Sequence, residues 1–200
     1  MTIYLIRHGL AAAGVDGLDP GLAPLGHEQA AATARALAGL KAHRLIVSPL
    51  RRTRETAEPI ATTLALTAEV RAEVAEVFNP EMTVDERRSM IGPFMAGNWT
   101  DQPADLQAWR RRVVETILEL GLASEAANGD LIVVSHYIAI GVIIGEASDD
   151  DRVVPQPMAN ASITTVRAGH GGLTLLAAAS TAHLAPGLVT GTHTALPGRN

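Results

Sequence analysis

Three short runs of this sequence end on side chains suited to handling an oxyanion. "YLIRH" closes on Arg7 and His8, "LIVSPLRR" carries Ser48, Arg51 and Arg52, and "LIVVSH" closes on His136. An arginine presents a planar fork of donors that matches phosphate or carboxylate oxygens. A free imidazole, with a pKa of about 6.5, is substantially neutral at cellular pH, so it can attack as a nucleophile or exchange a proton. Brought together, two imidazoles and two guanidiniums describe a site for a phosphoryl group. Each part alone has a plain explanation. An Arg-His pair suits a surface loop, "RRTRE" a solvated helix face with charge pairs three and four residues apart, and His136 a hydrogen-bonded core position. The functional reading rests on all three occurring at predicted strand ends.

The elements that must position these groups alternate along the chain. "TIYLIRH" reads as a buried strand and "GHEQAAATARALAGL" as a helix. "RLIVS" is a second short strand. It leads into "SPLRRTRETAEPIATTLA", where Ser48 can cap a helix and Pro49 can occupy its first position. "ADLQAWRRRVVETILELGLASEA" is a long amphipathic helix, "DLIVVSH" a third strand, and "YIAIGVIIGEA" a helix directly after it. "ASITTVRA" and "GLTLLAAAS" form a closing pair around the turn "GHGG". This order predicts an α/β fold, a three-layer α/β/α sandwich with a mostly parallel central sheet. In such a sheet the carboxyl ends of the parallel strands share one edge, where ligands bind and helix N-termini favour anions.

One domain is expected over residues 1–184, followed by a loose Gly-, Thr- and Pro-rich tail over 185–200. Residues 78–109 are irregular and hold four of the six aromatics, Phe78, Phe94, Trp99 and Trp109. That enrichment suggests a lid or pocket wall.

Composition narrows the function. Hydrophobic residues make up 47% and charged residues 18% of 200 positions, so a packed core is expected. A net charge of -5 argues against a nucleic-acid binder. The absence of cysteine excludes disulfides, zinc-thiolate sites and thiol catalysis. The longest apolar run, residues 131–145, is interrupted by Ser135 and His136 and falls short of the roughly 20 residues of a membrane helix. "MTIYLI" is too short for a secretory signal. A soluble, cytoplasmic protein with no membrane partner is expected.

In that order the motifs resemble the histidine phosphatase superfamily, the phosphoglycerate mutase-like group. "LIRHG", "LGHEQA", "SPLRRTRETA", "VVSHYIAI", "NASITTV" and "AHL" stand at family-like places over about residues 3 to 184. The resemblance implies that His8 takes the phosphoryl group as a phosphohistidine. Arg7 and Arg52 would bind its equatorial oxygens, with Arg51 at the variable position beside Arg52, and His136 would bond a further oxygen. It also implies a proton donor in a loop past the second helix. "VAEVF" nominates Glu76, with Glu73 a close competitor and Glu81 and Asp85 left open. No cofactor and no metal are implied. A metal held by His8, His136 and a carboxylate is the rival use of these groups, and the arginines count against it by repelling a divalent cation.

Several positions depart from the mutase pattern. Ala11, Gly14 and Ala23 stand where phosphate-facing donors usually occur, and Tyr137 replaces the usual glycine after the second histidine. The expectation is therefore a phosphomonoester hydrolase acting on a small phosphorylated substrate. A mutase and a non-catalytic binder of phosphorylated metabolites are the alternatives. His27, His43, His170 and His193 are read as surface or turn residues.

Overall fold

A computed structural model describes residues 1–12, 19–77 and 91–192. Among the described residues six strands form one sheet: β1 (Ile3–Arg7), β2 (Ala42–Val47), β3 (Ala68–Val70), β4 (Asp130–Ser135), β5 (Ile163–Gly169) and β6 (Gly172–Ser180). Their order is β3-β2-β4-β1-β5-β6. The first four are parallel, whereas β5 runs antiparallel to β1, and β6 antiparallel to β5. The helices are α1 (Pro24–Leu37), α2 (Arg51–Leu64), α3 (Ala104–Ala126) and α4 (Tyr137–Ser148), with a short helical turn over residues 91–96. This is the three-layer arrangement that the alternation predicted.

The layers follow from the two-residue period of the central strands. Ile3 and Leu5 of β1, with Leu131 and Val133 of β4, face Val113, Ile117 and Leu120 of α3 and the apolar run Ile138–Ile144 of α4. The alternate residues Ile6, Ile132 and Val134 face Ala34 and Leu37 of α1 and Ala57 and Ile60 of α2. A strand apolar on both faces is sealed on both faces, so its carboxyl end is where polar groups can emerge.

At that end the register sets Arg7 opposite Ser135, and the backbone of His8 donates to the Ser135 carbonyl. Beyond it the chain needs two glycines. A Cβ on Gly9 would stand 2.6 Å from the Gly26 carbonyl oxygen, and one on Gly26 would overlap the Leu10 carbonyl. The N-terminal turn of α1 therefore rests directly on the backbone that carries His8.

Two expectations change. The second helix begins at Arg51, not at Pro49, because Asp19 rather than Ser48 accepts from its first free N–H. Trp99 is a fully buried core residue, 5.7 Å from Phe94 and 5.9 Å from Trp109 between ring centres, so this aromatic group packs the interior, and Trp99 also borders a cavity with Gln107 and Arg110. Phe78 and the rest of 78–90 lie outside the described residues. The chain from Ala185 to Gly191 is hydrogen-bonded in place through side-chain amides and Arg7, where composition alone suggests a loose tail over 185–200, of which 193–200 lie outside the described residues. No helix among the described residues is long and apolar enough to cross a membrane.

Candidate active site

His8 follows β1, Arg52 lies in the first turn of α2, and His136 is the residue between β4 and α4. The three strand ends thus deliver their polar groups to one place. The Arg52 Nε donates to His8 Nε2 at 3.3 Å, while its Nη2 lies 3.3 Å from His136 Nδ1. The two imidazole ring centres are 5.2 Å apart, edge to face. Arg51, by contrast, turns outward to pair with Glu55 at 2.6 Å.

The hydrogen-bond partners assign both tautomers. His8 Nδ1 sits 2.7 Å from the Gly9 carbonyl, which can only accept. Nδ1 therefore carries the proton, and Nε2 presents its lone pair toward Arg52. His136 Nδ1 faces a guanidinium that can only donate, so the proton resides on Nε2 and is given to Ser48 Oγ at 2.7 Å. Ser48 does more than the helix cap its position suggests. Its hydroxyl does accept from Leu50 N at 3.3 Å, but its shorter contact orients His136.

Burial tunes these groups. His8 is 8% exposed and His136 is fully buried. Desolvation, reinforced by the charges of Arg7 and Arg52, pushes the His8 pKa down to about 3 against the weak opposition of its Gly9 bond. His136 is held well below its ordinary value, by desolvation first and then by His8, Arg52 and Arg7. Both are neutral imidazoles across the physiological range. Burial also lowers Arg7 to about 10, which leaves it charged.

Arg7 is gripped on several sides. Its Nη1 donates to the carbonyls of Met158 and Gly191, and its guanidinium lies 4.8 Å from the centre of the Tyr137 ring. Its Nε is buried with no partner among the described residues.

The nominated carboxylates separate clearly. Glu76 Oε1 accepts from Val77 N at 2.9 Å, and Oε2 accepts from Ile138 N at 3.3 Å in the first turn of α4. Desolvation raises its pKa, while those two N–H groups and the charges of Arg52 and Arg7 oppose the rise. Glu73 instead pairs with Arg71 at 3.7 Å. Glu81 and Asp85 lie outside the described residues.

Sequence reasoning missed Asp19. Its carboxylate accepts from Arg51 N at 2.9 and 3.0 Å and stands 3.7 Å from Arg52 Nη1. An acidic residue in a Gly-Pro loop carries no periodic signal. Among the described residues, no three His, Asp or Glu side chains are grouped to hold a metal ion.

Comparison with known proteins shows the same fold elsewhere. The fold superposes on Bacillus stearothermophilus YhfR with a TM-score of 0.74 at 19% identity, covering 91% of this chain and 98% of that one. It matches a phosphoserine phosphatase of Entamoeba histolytica, solved with 3-phosphoglyceric acid, with a TM-score of 0.73 at 23% identity, covering 92% and 99%. A phosphoglycerate mutase of Bacillus anthracis gives 0.70 at 18% identity, covering 91% and 94%. At such identities the likeness shows the fold. No curated protein matches the sequence. The family assignment comes from the sequence profile of the histidine phosphatase superfamily (branch 1), which matches residues 3–181. Nearly the whole fold, with all three polar strand ends inside it, is thereby accounted for: the chain belongs to branch 1 of the histidine phosphatase superfamily.

Proposed function

We propose that the protein is a phosphomonoester hydrolase that works through a phosphohistidine on His8 without a metal ion. The observation that carries this reading is Arg52 bridging His8 Nε2 and His136 Nδ1 at 3.3 Å each. One guanidinium spans the nucleophile and the second imidazole, so a phosphoryl group at His8 Nε2 meets donors meant for its oxygens. Arg7 supplies a second positive charge. Charge spread over a transferring phosphoryl group is what such fixed donors stabilise best.

In the first step the His8 Nε2 lone pair forms a bond to phosphorus as the ester P–O bond breaks. The leaving oxygen takes the proton of Glu76. In the second step Glu76, now a carboxylate, takes a proton from water as that water's oxygen bonds phosphorus and the N–P bond breaks. Inorganic phosphate leaves and both groups are restored. Splitting the hydrolysis this way replaces one difficult displacement by two easier ones. The depressed pKa of His8 keeps the nucleophile unprotonated without a separate base. The raised pKa of Glu76 favours its acid form.

Ser48 completes the account of His136. A hydroxyl can accept from Nε2–H or donate to a bare Nε2. His136 can therefore take the other neutral tautomer, losing the Nε2 proton to water and gaining one from water at Nδ1, and offer that Nδ1–H to a phosphoryl oxygen without gaining net charge.

Incubation with a 32P-labelled phosphomonoester tests the reading. Wild-type protein is expected to retain acid-labile, base-stable label that disappears in His8→Ala, while phosphate release falls by at least three powers of ten. Unchanged turnover by His8→Ala would refute it. Product analysis tests hydrolysis against transfer, since isomer formation outrunning inorganic phosphate would make the enzyme a mutase.

A further inference from the structure

The family profile ends at residue 181, but the chain beyond it returns to the site. Leu188 and Val189 pack against Ala32 of α1, Ala161 and Leu184. Gln29, fully buried in α1, joins this segment to the loop after β1: Oε1 accepts from Leu10 N at 2.7 Å, and Nε2 donates to Leu188 O at 2.7 Å and Thr190 Oγ1 at 2.8 Å. Asn160 makes a second join. Its backbone N–H donates to Thr190 O at 2.8 Å, its Oδ1 accepts from Thr190 Oγ1 at 3.2 Å, and its Nδ2 reaches the His8 carbonyl at 3.4 Å.

Gly191 then turns through φ +71°, and its carbonyl accepts from Arg7 Nη1 at 3.2 Å. The turn requires glycine twice over. The dihedral disfavours any side chain, and a Cβ would overlap Asn160 Oδ1 and stand 3.2 Å from Arg7 Nη1.

We propose that Leu188–Gly191 is a brace that positions Arg7 for phosphoryl binding, an inference that rests on the phosphatase reading above. Nη1 has two hydrogens, and the carbonyls of Met158 and Gly191 take both. With one side of the guanidinium fixed and its face against Tyr137, the Nε/Nη2 edge is left for the anion. That edge is the two-donor fork that fits a pair of phosphoryl oxygens. Its Nε is buried and has no hydrogen-bond partner among the described residues. Removing the Gly191 carbonyl would leave the guanidinium free to swing about the Met158 bond, and a donor that must be reoriented on binding stabilises less than one already aimed. Gln29, Asn160, Thr190 and Gly191 are thus positioning residues that act through Arg7.

A double-mutant cycle tests the brace. Vanadate affinity and p-nitrophenyl phosphate kinetics would be measured for wild type, for the chain ending at Ala185, for Gly191→Ala and for Thr190→Val, each with Arg7 and with Arg7→Lys. Lysine has no Nη1, so the brace has nothing to hold in that background. With Arg7 present, truncation and Gly191→Ala are each expected to weaken vanadate binding about tenfold, with KM rising more than kcat falls. With Arg7→Lys, the further loss should be less than about twofold. Equal losses in both backgrounds, or none with Arg7, would overturn the brace. If the truncated chain does not fold, the two point variants decide the matter by the same criterion. A wild-type protein that neither binds vanadate nor turns over overturns the phosphatase reading and the brace with it. Wild-type turnover matched by the variants overturns the brace alone.

Discussion

The two ends of α4 use burial in opposite ways. At its start, His136, Glu76 and the His8–Arg52 pair are withdrawn from water against their preference, so both imidazoles are held neutral and the Glu76 carboxyl is pushed up. About 18 Å along the axis, beyond Ser148, the Asp151 carbonyl accepts from Trp99 N at 2.8 Å, and the Trp99 ring packs between Phe94 and Trp109. There burial removes large apolar faces from water and stabilises the fold. One end spends stability on reactive groups, while the other supplies stability without chemistry. Changes at the two ends should therefore separate cleanly between activity and folding.

Glu76→Gln is the strongest test of the first end. It should lower kcat by about two to four powers of ten on alkyl phosphates, the usual range for a general acid. On p-nitrophenyl phosphate, whose leaving group needs no proton, the loss should be far smaller. Because burial raises the Glu76 pKa, wild-type kcat should fall as pH rises through a value above the ordinary carboxylate range. That limb should vanish in Glu76→Gln. A uniform loss on both substrates would return Glu76 to being a cap on Ile138 N.

Trp99→Ala tests the other end. Removing a fully buried indole should cost about 3–5 kcal/mol in denaturant unfolding. Vanadate affinity of the folded protein should not change. A shift in affinity would mean that the aromatic cluster reaches the site after all.

The same contrast explains what could be read from sequence. The site was legible where buried strands stop abruptly on charged residues, because a run such as "LIVVS" gives no structural reason to end on histidine. Choosing Arg52 over Arg51 needed the family resemblance, and the geometry agrees, with Arg51 outward on Glu55 and Arg52 between the imidazoles. The aromatics indicated only that the stretch is packed, because enrichment does not say which way a ring faces. β3 escaped notice, since three residues, Ala68–Val70, are too few to show a period. The segment through Gly191 looked loose because its order comes from Gln29 and Asn160, partners far away in the chain.

Between pH 6.5 and 5 the acid sensitivity should map mainly to the first end, with a smaller share from the half-buried His183, whose pKa desolvation lowers. In the unfolded chain both histidines titrate at about 6.5, while in the fold His8 is at about 3 and His136 well below its ordinary value. Below the unfolded value the unfolded state binds more protons, so stability is full above it and declines as pH falls. The slope is about 1.4 kcal/mol per pH unit for each histidine. Glu76 has the opposite sign, because its raised pKa costs stability as pH rises past the unfolded carboxyl value. One carboxyl does not offset two imidazoles. Urea unfolding between pH 6.5 and 5 should show the decline, and His136→Asn should lower its slope by up to about 1.4 kcal/mol per pH unit. A flat profile would contradict the buried neutral pair.

Asp19→Asn should have the smallest effect, and its direction is informative. At 3.7 Å from Arg52 Nη1 and partly exposed, the carboxylate is beyond hydrogen-bonding distance and in contact with solvent. It therefore orients Arg52 weakly, yet it adds a negative charge beside an anion site. Asparagine keeps an oxygen acceptor for Arg51 N, so α2 should start as before. Vanadate affinity should rise about two- to threefold at low salt, the scale of an exposed charge pair. The gain should fade at high ionic strength as screening shortens the reach of the charge. Asp151→Asn, at the far end of α4, should leave vanadate affinity unchanged under the same conditions. Weaker binding by Asp19→Asn at every salt concentration would instead make Asp19 a support for Arg52, and the carboxylate would then belong to the site's machinery rather than to its electrostatic surroundings.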